Sequence, residues 1–104
     1  MTRHAVLMRC KKELARHYGP RFRGLVLFGS AARGEATAGS DLDLLVLMAE
    51  PLDYFRELRE IIDVLYPIQL DCEQLISAKP ASQRDFEGGT LALYRNAKRE
   101  GVLI

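Results

Sequence analysis

Two carboxylates, Asp41 and Asp43, stand one residue apart at the head of an otherwise apolar run, DLDLLVLM. Residues i and i+2 of a strand point to the same side, so both acids project together while Leu42 and Leu44 face the opposite way. Adjacent anions repel, and setting them against a buried strand costs stability. A bound divalent cation removes that cost. Oxygen donors unaccompanied by Cys or His favour Mg²⁺ or Mn²⁺ over Zn²⁺. A third carboxylate is needed to hold two ions, and Asp71 is the candidate, flanked by apolar residues in IQLDC. Glu73 is the alternative on the same strand face, at a strand end where a solvated glutamate is routine.

Ten residues separate Asp41 from Gly29-Ser30, where the preceding apolar run breaks. A glycine and a serine where a strand gives way to a helical turn form a good phosphate cradle. The backbone N–H groups there are unpaired, glycine permits close approach, and serine adds a hydroxyl donor. A plain N-cap serine is the simpler account of Ser30 taken alone. Gly29 to Gly34 has the outer spacing of a Walker A loop, but Glu35-Ala36 stands where Lys-Ser/Thr is required. No G-x-G-x-x-G occurs. Phosphate cradle and acid pair gain force together, because the intervening loop lets them converge.

The elements that must position these residues are readable from periodicity. Leu7, Cys10, Leu14 and Tyr18 recur at helical spacing, predicting a helix over 3–18 capped by Thr2 and ended by Gly19-Pro20. Residues 24–28 and 41–48 read as buried strands. Pro51 opens a predicted helix to about Tyr66, with Tyr54, Phe55, Leu58, Ile61, Ile62 and Leu65 inward. Pro67 should break it, leaving 68–72 as a third strand that carries Asp71. A tail helix is expected between Ser82 and Arg99, with Phe86, Leu93 and Ala97 inward. Gly101 stops it, and VLI can add an edge strand. The pattern predicts an α+β fold, a single small mixed sheet flanked by helices.

The 104 residues suit one domain, 1–104, and the formal charge of +1 offers no broad footprint for nucleic acid. The apolar runs are too short to span a bilayer, and the charged N-terminus lacks a signal-peptide pattern, so a cytoplasmic location is expected. Cys10 and Cys72 read as two buried reduced thiols, and neither His4 nor His17 is assigned a catalytic role.

GSAARGEATAGSDLDLLVL resembles the signature of the DNA polymerase β-like nucleotidyltransferase superfamily: Gly-Ser, ten residues, Asp-x-Asp. Its GSxARG…SDxDL form is similar to the minimal nucleotidyltransferases of bacteria and archaea. The motif is specific over residues 25–47, and the remainder matches in order and spacing. The resemblance implies the nucleotidyltransferase fold, with Gly29 and Ser30 on the phosphates and Arg33 and Ser40 as further nucleotide-binding positions. It implies that Asp41 and Asp43 bridge two Mg²⁺ (or Mn²⁺) ions and that Asp71 holds the ion that activates the acceptor. ATP, or another nucleoside triphosphate, is the implied substrate.

Acceptor-binding domains of larger relatives have no counterpart in the sequence, so an open groove and partly uncovered helix faces are expected. A protein partner or self-association would complete them. The resemblance implies a small helical HEPN-type toxin, with this chain as its antitoxin adding AMP to a hydroxyl. Two alternatives remain at this point: a non-catalytic module that neutralises such a partner by contact, and nucleotidyl transfer to RNA or a small molecule.

Overall fold

A computed structural model describes residues 1–34 and 40–104. Helix α1, Arg3–Tyr18, begins where the Thr2 side chain accepts from the Ala5 N–H at 3.1 Å. It ends at Gly19, whose positive φ of 58° is open to glycine. Val6, Leu7, Cys10, Leu14 and Tyr18 form its buried stripe. A 3-10 turn, Gly19–Arg21, leads into strand β1, Phe22–Phe28. Strand β2, Leu42–Met48, pairs antiparallel with β1, and Asp43 lies opposite Phe28.

Helix α2 spans Tyr54–Leu70, so it starts later and runs further than Pro51 and Pro67 suggested. Asp53 supplies the cap, accepting from the Arg56 N–H, and a carboxylate at that position outweighs a proline two residues earlier. Pro67 does not break the helix. Ile61, Leu65 and Ile68 continue the buried stripe straight through it. Asp63, whose carbonyl Pro67 leaves without a helical donor, is exposed and can be hydrated. Tyr54, Phe55 and Ile62, expected inward, are exposed, as are Tyr66 and Leu70. One face of α2 is therefore uncovered in the single chain.

The expected strand over 68–72 is replaced by the last turn of α2 and its cap. The third strand, β3, is Ile76–Ser82, parallel to β2 with Leu42 opposite Ile76 and Met48 opposite Ser82. Gln69 makes this switch. Its amide donates to the Gln74 carbonyl at 2.8 Å and accepts from the Ile76 N–H at 2.7 Å, closing the loop that starts β3.

The tail holds two helices rather than one. Ser82 caps α3, Gln83–Gly88, and left-handed Gly89 ends it. Helix α4, Ala92–Glu100, follows, and strand β4, Val102–Leu103, pairs antiparallel with β1 as the expected edge strand. The sheet order is β3-β2-β1-β4. Its two faces bury separate clusters. Leu25, Leu27, Leu42, Leu44 and Val46 pack against α1 and α2. Val26, Leu45, Leu47 and Ala81 pack against Phe86, Tyr94 and Ala97 of α3 and α4. The result is the mixed α+β architecture that the periodicity predicts. No helix among the described residues is long and apolar enough to cross a membrane.

Candidate active site

Strand alternation places Asp43 on the face that carries Leu45 and Leu47, at the end of the sheet where β1 leaves and β2 enters. Asp41 precedes β2 and is exposed, whereas Asp43 is half-buried. The strand thus drives leucines into the core on one side and holds a carboxylate at the mouth on the other. Burial pushes the Asp43 carboxyl above its ordinary range, the Asp41 carboxylate pushes it further, and the Lys79 ammonium pulls it back.

Gly29 meets this carboxylate directly. Its φ is +76°, and a Cβ built there would stand 2.5 Å from Asp43 Oδ2. Only glycine fits both the backbone and the space. After it the chain makes a tight turn. The Arg33 N–H donates to the Gly29 carbonyl at 3.3 Å, and the Gly34 N–H to the Ala31 carbonyl at 3.4 Å. Ser30 is half-buried at the start of this turn. Arg33 reaches α4, where its guanidinium lies 3.6 Å from the Glu100 carboxylate. Ser40 is fixed from the other side, its carbonyl accepting from the Gln74 amide at 2.8 Å. An open cavity of about 660 Å³ borders the turn, lined by Arg3, His4, Ala31, Ala32 and Gln74 among others.

Of the expected site residues, the structure brings Gly29 to Asp43, with Ser30 next in the chain and Asp41 two residues before Asp43. Asp71 is not brought to the pair. It caps the C-terminal end of α2, and its carboxylate accepts from Arg9 at 2.9 Å on a largely exposed surface. The reason is the helical reading of Ile68, which carries Asp71 off the sheet. Glu73 is exposed in the loop that follows. Among the described residues, no three His, Cys, Asp or Glu side chains form a group that could hold a metal.

The place beside Asp43 expected for a third acid is filled by Ser77, its partner in β3, with Lys79 two residues on. Sequence reasoning missed both. ISAKPAS is weakly apolar and contains Pro80, which argues against a strand. Its place at the sheet edge is what tolerates that proline.

The two carboxylates fit a divalent cation that keeps most of its shell as water and phosphate oxygen, as Mg²⁺ does.

Residues 7–102 match the nucleotidyltransferase domain family, and the chain belongs to it. Protein adenylyltransferase MntA of Thermococcus cleftensis is 39% identical over 77 residues, covering 72% of this chain and 76% of the relative. MJ1215 of Methanocaldococcus jannaschii, assigned by inference as a protein adenylyltransferase, is 37% identical over 68 residues, 64% of this chain and 77% of its own. A chain in the crystal structure of a mutant of the toxin–antitoxin pair MntA–HpeT shares the fold. Its TM-score is 0.59 at 19% identity, with 100% of this chain and 72% of that chain covered.

Proposed function

We propose that the chain transfers AMP from ATP, with Mg²⁺ or Mn²⁺, to a hydroxyl on a protein partner, and that the partner is a HEPN-type toxin for which it is the antitoxin. The observation that supports this reading is the approach of Gly29 to the Asp43 carboxylate, which sets the turn that would hold phosphate against an acid that would hold the metal. The names of the relatives support protein as the acceptor, and the fold shared with one member of a toxin–antitoxin pair supports the partner. The cytoplasm, where ATP is abundant, is the compartment this reading requires.

Asp41 and Asp43 would hold the ion, which supplies charge to neutralise and orient the triphosphate. The Gly29-Ser30 amides and the Ser30 hydroxyl would donate to phosphate oxygens. Arg33, held at the end of the turn, would add positive charge, and Ser40 would fix the entry to β2. The acceptor oxygen forms a bond to the α-phosphorus as the bond to the β-phosphate bridge breaks. Pyrophosphate leaves, and the acceptor proton passes to solvent. The chain contributes position and charge, which is most of what such a transfer needs.

One observation favours a second reading, a module that neutralises the partner by contact. Asp71 is given to Arg9, and no third acid among the described residues joins Asp41 and Asp43. Co-expression with the product of the adjacent reading frame decides between them. Mass spectrometry should find AMP on that partner, absent with Asp41→Asn plus Asp43→Asn. An unmodified partner, neutralised equally by the double mutant, would establish the contact module.

A further inference from the structure

Strand β3 runs parallel to β2 on its open side, so its side chains on the Asp43 face sit beside the acid pair. Those side chains are Ser77, in register with Asp43, and Lys79, in register with Leu45. Successive residues on one face of a strand are separated by about 7 Å, and a lysine side chain spans most of that. Lys79 is exposed, so its ammonium is at liberty to swing along the face toward the mouth. A lysine thus stands on the strand beside the acid pair, on the same face, where no third acid is present among the described residues.

We propose that Lys79 is a triphosphate-binding residue, its ammonium contacting the β- or γ-phosphate of the nucleotide held at Gly29, Ser30 and the acid pair. The proposal rests on the nucleotide site described above. Ser77, the residue opposite Asp43, is small and polar. A lysine is a compact point charge that serves phosphate well without demanding bidentate geometry. The competing account is that Lys79 only guards the sheet edge, as lysines on edge strands do.

Calorimetry separates the accounts. Wild type, Lys79→Gln and Lys79→Arg are titrated with a non-hydrolysable ATP analogue and with AMP in Mg²⁺, and separately with Mn²⁺ alone. The charge accounts for a loss of roughly tenfold in analogue affinity in Lys79→Gln, on the scale of one charged hydrogen bond. AMP affinity should change less, Lys79→Arg should recover most of the loss, and Mn²⁺ alone should bind Lys79→Gln at least as tightly as wild type. Unchanged analogue affinity in Lys79→Gln, with or without new self-association, would overturn the assignment and leave the nucleotide site standing. Equal losses for analogue and AMP would also overturn it, because the contact would not be to the outer phosphates. Absence of analogue binding in the wild type would instead remove the nucleotide site itself, and this proposal with it.

Discussion

Gly29 and Asp43 occupy space that admits no further carbon between them: a Cβ on Gly29 would lie 2.5 Å from Asp43 Oδ2. The left-handed φ of +76° adds a second reason for glycine. Gly29→Ala should therefore cost about 1–2 kcal/mol from the backbone alone. It should also displace the carboxylate. Urea melts should show the stability loss, and pairing it with Asp43→Gly should recover the part due to the clash. Additive costs in that pair would mean that the two residues do not touch.

The same carboxylate sets a pH dependence. Burial raises the Asp43 pKa, so the folded state binds the proton more tightly than the unfolded chain. Between the ordinary carboxylate pKa and the raised one, stability falls as pH rises. Above that window the cost is fully present. Asp43→Asn should flatten this segment of a stability–pH curve, and millimolar Mg²⁺ should lessen the wild-type loss at neutral pH. A wild-type curve that rises with pH relative to Asp43→Asn would reverse the sign and contradict the burial argument.

What was legible in the sequence follows where each residue's constraint lies. The turn at Gly29-Ser30 and the facing of Asp43 are readable because their requirement is local: a turn after one strand and alternation along the next. The stripe of α1 was readable because Leu7, Cys10 and Leu14 keep a helical period under a capped start. Asp71 was misplaced because IQLDC alternates like a strand, while Ile68 is buried as the continuation of Ile61 and Leu65. Pro67 reinforced the error, since its cost depends on whether the freed carbonyl meets water, a tertiary fact. Strand β3 was invisible for a similar reason. Its place comes from β2 beside it and from Gln69 at its start, and neither is written in ISAKPAS.

Gln69 thus carries the β3 register. Removing its side chain leaves the Ile76 N–H and the Gln74 carbonyl without their partner. Gln69→Leu should cost about 1–3 kcal/mol, and hydrogen exchange should quicken at Ile76 and Ser77 before the rest of the sheet. Uniform exchange across the sheet would mean that the loop does not depend on this staple.

Cys10 and Cys72 should differ in reactivity. Burial, helped by Cys72, pushes the Cys10 thiol up to about 11. It is fully enclosed, whereas Cys72 is half-buried. Alkylation at pH 8 should modify Cys72 alone in the folded protein, with Cys10 following only in denaturant. Equal labelling of both thiols would show that α1 opens readily from the sheet.

The central claim is that Gly29, Ser30, Asp41 and Asp43 form one metal–nucleotide site. Calorimetry with Mn²⁺ and a non-hydrolysable ATP analogue tests it most directly. The wild type should bind the analogue with Mn²⁺ present and far more weakly without it. Asp41→Asn plus Asp43→Asn should abolish the metal-dependent part, and Ser30→Ala should weaken analogue affinity by roughly tenfold or more while sparing Mn²⁺ alone. Full metal-dependent binding by the Asp41→Asn, Asp43→Asn protein would contradict the site.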